Sequence, residues 1–306
     1  MIRAIRLFAL LILMGLSPIS HGASCSDTRS PELLDSTSFY RSTLSFPSGN
    51  LLDTLMLDLY LPAFEVAEGW GILFMHGGGF SAGKRDDPIN IRYCEALAAK
   101  GIAVASMDYR LRQVGKGFHC NIPVADKREA IRWAGEDLEQ ALDALNETFP
   151  NGSIVCGTSA GAEAALFAAF HLQLEDIRGV ISIGGAMERV DSFAPIPVLA
   201  YHGTCDELVP FCQAIHHYCP ESSPGALHLI GSGAIADLHP LVKLTAIHSA
   251  GHEITSNLLM EPAFIHANVD FIWALKTHNF RPALHEIHLS STCDSLPTSS
   301  LPCPSH

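Results

Sequence analysis

Positive charge is scarce in this 306-residue chain. It contains 19 lysine and arginine residues against 32 aspartate and glutamate residues, which gives a formal net charge of −13. No stretch combines clustered basic residues with aromatic side chains, the pattern that binds a nucleic-acid backbone. We therefore predict no nucleic-acid partner, and the same negative charge argues against attachment to an anionic membrane surface.

Long hydrophobic runs are also scarce. The apolar run Leu7–Leu16 has only ten residues, which is too short to span a bilayer as a helix. Two arginines precede it and small residues follow it, which is the order of a secretory signal peptide. We predict that residues 1–23 are a signal peptide, that the mature chain has no integral membrane domain, and that the protein is exported. A retained N-terminal anchor and lipid attachment at Cys25 are the alternatives.

Nine cysteines in an exported chain are expected to form disulfides rather than a metal or catalytic site. The sequence does not determine the pairing, and the odd count leaves one thiol over. A bond between Cys212 and Cys219 would close a local loop, and one between Cys293 and Cys303 would close the C-terminal tail.

Short apolar segments alternate with segments of helical periodicity from about residue 55 onward, without a break. The segment Ile102–Met107 is apolar except for Ser106, as expected of a strand buried on both faces of a parallel sheet. Asp58 and Tyr60 alternate with leucines, which indicates a half-exposed edge strand. This order predicts an α/β fold with a mostly parallel central sheet and helices on both faces. We predict one domain over residues 24–280 and a Ser/Pro-rich tail over residues 281–306.

A tight turn follows one of the apolar segments, Ser153–Cys156. Its sequence is Gly157-Thr158-Ser159-Ala160-Gly161, and an alanine-rich helical segment comes next. A serine between a strand and a helix needs small neighbours so that its Oγ stands clear, and glycines supply them. Ser159 is therefore the candidate nucleophile.

A second glycine-rich segment, His76-Gly77-Gly78-Gly79-Phe80, directly follows the apolar strand Gly71–Met75. Consecutive glycines are costly in chain entropy and indicate a close approach of the backbone to another group. In acyl transfer that group is the oxyanion, which backbone N–H groups stabilise.

An acid and a histidine follow later strands. Asp206 comes after the apolar segment Pro197–His202, and His252 comes after the segment Lys243–Ile247. Side chains that follow strands of a parallel sheet gather at one edge of it. Asp206 is the preferred acid, and Asp191 and Glu188 are the alternatives because they follow the preceding apolar segment, Val180–Ile183.

Taken together, these motifs resemble those of the α/β-hydrolase carboxylesterases, in their hormone-sensitive-lipase and feruloyl-esterase-like branch. The resemblance extends from about Leu55 to Thr277. It is carried by five ordered motifs: His76-Gly-Gly-Gly-Phe80, Asp108-Tyr-Arg-Leu111, Gly157-Thr-Ser-Ala-Gly161, His202-Gly-Thr-Cys-Asp206 and Gly251-His252.

The resemblance implies a serine hydrolase that cleaves carboxylic esters through an acyl-enzyme intermediate, with Ser159, His252 and Asp206 as its triad. It implies an oxyanion hole formed by the N–H groups of Gly78, Gly79 and Ala160. The substrate would be a small-molecule or polymer-borne ester, and no cofactor and no metal is predicted. A peptidase or an acyltransferase on the same fold, and a non-catalytic binding module, are the alternatives.

The chain departs from the family pattern between the acid and the histidine, which are separated by 45 residues, more than one helix requires. We predict that residues 211–238 form an inserted loop outside the core that borders the active-site mouth and influences specificity. A decoration on the distant outer surface is the alternative. The pair His216–His217 has a loosely metal-like spacing to nearby cysteines, but solvated histidines beside disulfides fit an exported protein better.

Overall fold

A ten-stranded sheet runs through the protein. The computed structural model describes residues 32–33, 39–64, 69–289 and 303, which all belong to one unit, residues 31–306. The strands are, in chain order, β1 Glu32–Leu33, β2 Phe39–Pro47, β3 Thr54–Pro62, β4 Gly71–Met75, β5 Ala103–Met107, β6 Ser153–Thr158, β7 Ile177–Ile183, β8 Ala186–Met187, β9 Val198–Gly203, β10 Gln213–Ile215, β11 His228–Gly231, β12 Val242–His248 and β13 Ala283–His288.

The large sheet has the order β1-β2-β3-β5-β4-β6-β7-β9-β12-β13. Pairing is antiparallel from β1 through β3 to β5 and parallel from β5 to β13. The predicted fold class, with a mostly parallel central sheet, is confirmed. Parallel pairing also brings the carboxyl ends of β6, β9 and β12 to the same edge of the sheet.

Helices pack on both faces of the sheet. They are α1 Pro88–Ala98, α2 Val124–Leu145, α3 Ala160–Phe167, α4 Ser232–Leu238, α5 Ile254–Asn257 and α6 Pro262–Lys276. Alternate residues of β4 enter different apolar clusters, because successive side chains of a strand point to opposite faces. Leu73 belongs to the cluster that includes Leu138 of α2, whereas Ile72 belongs to the cluster that includes Leu97 of α1 and Phe271 of α6.

Two strands differ from the sequence prediction. Strand β3 lies between β2 and β5 rather than at an edge, and Asp58 and Tyr60 are buried. Burial of Asp58 is compensated by Arg41, whose Nη2 donates to Oδ2 over 2.8 Å. Strand β13 falls in the segment predicted to be a Ser/Pro-rich tail, yet it pairs with β12 as the last strand of the sheet.

The segment 211–238 is not a loop outside the core, so that prediction is wrong. Strands β10 and β11 pair with each other, and β11 also pairs with β8 to make a three-stranded sheet. Leu227, Leu229 and Ile230 are buried in the same apolar cluster as α2. The apolar side chains of the segment thus find a partner surface, and Pro- and Gly-rich composition alone did not indicate this.

Two disulfides among the described residues join this segment to distant parts of the chain. They are Cys120–Cys219 and Cys212–Cys303, so neither local pairing considered from the sequence forms. Cys205 is also disulfide-bonded. The folded segment turns Cys212 and Cys219 toward other elements, which local spacing does not show.

Removal of the Cys120–Cys219 bond is expected to destabilise the protein. The bond joins residues that are 99 positions apart and so restricts the unfolded chain. Its loss raises the conformational entropy of the unfolded chain, which favours unfolding. We expect the double variant Cys120→Ala/Cys219→Ala to lower the free energy of unfolding by about 2–5 kcal/mol, measured by urea denaturation without reductant. Cys94→Ala is the control, because Cys94 is a buried free thiol, and it is expected to cost about 1 kcal/mol. An unchanged denaturation midpoint in the double variant would contradict the prediction.

No helix within the described residues combines the length and the hydrophobicity that a membrane span requires. The predicted signal peptide, residues 1–23, and Cys25 lie outside the described residues.

Candidate active site

Ser159 occupies the sharp turn between β6 and α3. Its backbone has φ 50° and ψ −120°, a conformation that L-residues rarely adopt. The flanking glycines permit the turn by close packing. A Cβ on Gly157 would lie 2.3 Å from the carbonyl carbon of Gly161, and one on Gly161 would lie 2.2 Å from the carbonyl oxygen of Met75. The turn therefore requires glycine at both positions and presents the serine Oγ beyond the end of β6.

The three predicted triad residues form one continuous hydrogen-bonded chain. Nε2 of His252 lies 2.8 Å from Ser159 Oγ, and Nδ1 of His252 lies 2.7 Å from Oδ2 of Asp206. The Asp206 side chain is fully buried, and the imidazole of His252 is 18% exposed. The two imidazole nitrogens thus link a serine hydroxyl to a buried carboxylate.

Packing between neighbouring loops holds the acid beside the histidine. The N–H of Cys205 donates to the carbonyl oxygen of Ala250 over 2.8 Å. Gly203 allows this approach, because a Cβ there would lie 2.4 Å from that same carbonyl oxygen. The glycine of the acid motif is therefore needed to bring the two loops together.

The Asp206 carboxylate is held in its charged form. Burial by itself would raise its pKa, but hydrogen bonding to His202 and His252 outweighs burial and leaves the pKa well below the ordinary value. Oδ1 also accepts from the N–H groups of Leu208 and Val209, each over 2.9 Å. The carboxylate is thus available as an acceptor for the imidazole at neutral pH.

His202 is a supporting residue that the sequence did not identify. Its side chain is fully buried, and Nε2 lies 3.1 Å from the carbonyl oxygen of Val209 and 3.5 Å from Oδ2 of Asp206. Because both partners are acceptors, Nε2 carries a hydrogen and faces them. Nδ1 lies 3.0 Å from Oγ of Ser232. His202 is the first residue of the motif His202-Gly-Thr-Cys-Asp206. The sequence of that motif did not indicate that its histidine supports the acid.

The alternative acids lie elsewhere. Asp191 is exposed, and the carboxylate of Glu188 binds the guanidinium of Arg128, with Nη2 donating over 2.7 Å. The imidazole of His252 pairs with Asp206 instead.

The glycine-rich segment after β4 lies beside the serine. Gly78 has φ 118° and Gly79 has φ 59°, conformations that favour glycine. The Tyr109 hydroxyl donates to the carbonyl oxygen of His76 over 2.8 Å and so supports the start of this segment. Ala160 is the first residue of α3, where the backbone N–H has no acceptor within the helix. Gly78, Gly79 and Ala160 line the same cavity as Ser159.

This cavity has a volume of about 490 Å³. Phe80, Phe118 and Ile89 contribute apolar surface to it, whereas His252 and Ser159 contribute an imidazole and a hydroxyl group. It is large enough for a small ester or for one end of a larger one.

The segment 211–238 borders the cavity through His216 and His217, in agreement with its predicted position at the active-site mouth. The expectation of solvated histidines is wrong. His216 is buried, and its Nε2 lies 3.0 Å from Oε1 of the buried Glu163. The pKa of His217 is lowered to about 3, mainly by burial and to a smaller extent by the neighbouring His216. His217 is therefore neutral at physiological pH.

Comparisons with known proteins agree with the fold and the motifs. Residues 57–190 match the family model BD-FAE. Esterase 2 of Thermogutta terrifontis, in a structure in which it is phosphoramylated by tabun, is 18% identical, with a TM-score of 0.52 over 79% of this chain and 97% of that one. Esterase Est22 is 12% identical, with a TM-score of 0.52 over 78% of this chain and 80% of that one. No curated protein has a significant match to the sequence.

At these identities the two structures establish the α/β-hydrolase fold. The BD-FAE match covers the glycine-rich segment at 76–80 and the serine motif at 157–161. The predicted family resemblance is therefore confirmed.

Proposed function

We propose that this α/β-hydrolase is a serine esterase that cleaves carboxylic esters through an acyl-enzyme on Ser159. The observation that carries the proposal is the unbroken chain from Asp206 through His252 to Ser159 Oγ, with distances of 2.7 and 2.8 Å, at the wall of a cavity. Nucleophile, base and orienting acid are the set that acyl transfer requires.

In the first half-reaction, Ser159 Oγ attacks the ester carbonyl carbon while Nε2 of His252 takes the hydroxyl proton. Asp206 keeps the proton on Nδ1 and stabilises the charged imidazolium. The carbonyl oxygen gains negative charge, which the N–H groups of Gly78, Gly79 and Ala160 would stabilise. Collapse of the intermediate breaks the bond to the alcohol oxygen, and His252 gives that oxygen its proton.

In the second half-reaction, water replaces the alcohol. His252 takes a proton from the water as its oxygen attacks the acyl carbon. The bond between the acyl carbon and Ser159 Oγ then breaks, and the serine recovers its proton from His252. The products are a carboxylic acid and an alcohol, and the residues return to their starting state.

The names of the similar proteins favour esters over the peptide and acyl-transfer alternatives. Two fold relatives are named esterases, and one of them is phosphoramylated by tabun. We also propose that the protein is exported, because an oxidising compartment is where disulfides such as Cys120–Cys219 and Cys212–Cys303 persist.

A substrate screen tests the proposed function. The purified protein is assayed on p-nitrophenyl esters of increasing acyl length, with acetyl- and feruloyl-xylan alongside. We expect hydrolysis of at least the short esters, with a burst of nitrophenol if deacylation limits turnover. Activity on peptide anilides in the absence of ester hydrolysis would contradict an esterase.

His217 is expected to influence substrate choice. It lines the cavity but takes no part in the triad, so His217→Ala enlarges the cavity without touching the reacting atoms. We expect the ratio of kcat/KM between a bulky and a short ester to change by about tenfold. His228→Ala is the control, because His228 lies in the same segment and pairs with the exposed Glu221. An unaltered ratio in His217→Ala would mean that the segment does not influence the pocket.

A further inference from the structure

Three side chains that can bind a metal meet at the last two strands of the sheet. His248 ends β12, and Glu286 and His288 lie on β13. Each residue offers one possible ligand atom, and these three atoms all lie within 4.8 Å of one another. This group lies outside the proposed triad and takes no part in ester hydrolysis.

The strand register places the three residues together. His248 pairs with His288 in the parallel ladder, and their imidazole rings stack with centroids 4.3 Å apart. Glu286 precedes His288 by two positions and so lies on the same face of β13. Its Oε1 is 3.1 Å from Nε2 of His248. Hydrogen bonding of two neighbouring strands fixes the backbones that carry the ligands.

The donor set indicates the class of ion. Two imidazoles and one carboxylate suit Zn²⁺ and its neighbours among the divalent transition metals, whereas Mg²⁺ and Ca²⁺ prefer sets of oxygen ligands. Ligand atoms about 2.0–2.2 Å from a shared ion lie no more than about 4.4 Å apart, so a modest rotation of the rings suffices. The imidazole χ2 torsion is broad and permits this rotation.

We propose that His248, Glu286 and His288 bind a divalent transition-metal ion, with Zn²⁺ as the matching probe. The ion joins β13, the exposed outer strand, to β12. Solvent or a further group completes the coordination, because the site is open to the surface. The proposal is independent of the esterase activity.

The test uses the full chain without a polyhistidine tag, stripped with EDTA and titrated with Zn²⁺ by calorimetry. We expect one equivalent to bind with an affinity that falls at least about tenfold in each of His248→Ala, Glu286→Gln and His288→Ala. His285→Ala is the matched control, because His285 lies on the same strand but on its opposite face. Its affinity is expected to equal that of the unaltered chain.

Two further measurements complete the test. Circular dichroism shows whether each variant is folded, and Zn²⁺ is expected to raise Tm in the unaltered chain and in His285→Ala but not in His288→Ala. Electron paramagnetic resonance with Cu²⁺ as the probe is expected to show two coordinated nitrogens, and one in His288→Ala. Absence of Zn²⁺ binding, or an affinity unchanged by any one of the three ligand substitutions, overturns the proposal.

Discussion

Ser159→Ala is expected to fold normally and to lose ester hydrolysis by about 10⁴–10⁶-fold in kcat. The hydroxyl oxygen that would form the acyl bond is removed, while the turn between β6 and α3 is kept by its glycines. Residual activity would come from the oxyanion N–H groups and from substrate binding, which do not need the serine. The measurement is kcat on a short p-nitrophenyl ester, with circular dichroism to verify the fold.

Ser256→Ala is the matched control for this prediction. Ser256 is an exposed serine that lines the same cavity, whereas the imidazole of His252 contacts Ser159. We expect the control to keep kcat within about twofold of the unaltered chain. If Ser159→Ala still turned over at a rate comparable to that of the control, the nucleophile would have to be another residue.

Asp206→Asn is expected to lower kcat by about 10⁴-fold at neutral pH. The amide can donate to Nδ1 of His252, which favours the tautomer with its proton on Nε2, and that tautomer cannot accept the serine proton. The variant also loses the negative charge that stabilises the imidazolium. Asp191→Asn, at the exposed alternative acid, is expected to leave kcat unchanged.

Asp206 also predicts a pH dependence of stability. Its pKa is lower in the folded protein than in the unfolded chain, so the carboxylate stabilises the fold above about pH 4. This contribution is lost as the pH falls through the lowered folded-state pKa. The acid side of the Tm–pH profile should therefore be flatter in Asp206→Asn than in Asp191→Asn. A loss of activity in Asp191→Asn but not in Asp206→Asn would reverse the assignment of the acid.

The sequence predicted the parts of the site that depend on local backbone requirements. The turn at Ser159 needs glycine on both sides, and the segment at Gly78 needs positive φ, so both leave a visible pattern. The alternation of apolar and helical segments likewise predicted the parallel sheet. Once the sheet was assumed, the order of Asp206 and His252 after their strands placed them at one edge.

Features that depend on tertiary partners could not be predicted in this way. His202 is held by Ser232 and Asp206, and neither contact has a characteristic spacing. Strand β13 exists because it pairs with β12, although its side chains are mostly exposed and give no core signal. The bond between Cys212 and Cys303 spans a sequence separation of 91 residues and could not be distinguished from other pairings.

Covalent labelling with an organophosphonate bearing a nitrophenol leaving group tests the central claim most directly. The reagent reacts with a serine that a neighbouring base activates and leaves its phosphorus on that oxygen. Peptide mass spectrometry is expected to find one adduct, on Ser159, and the labelled fraction is expected to equal the fraction of esterase activity lost. Loss of activity with the adduct on any other residue, or full activity in protein labelled on Ser159, would contradict the account.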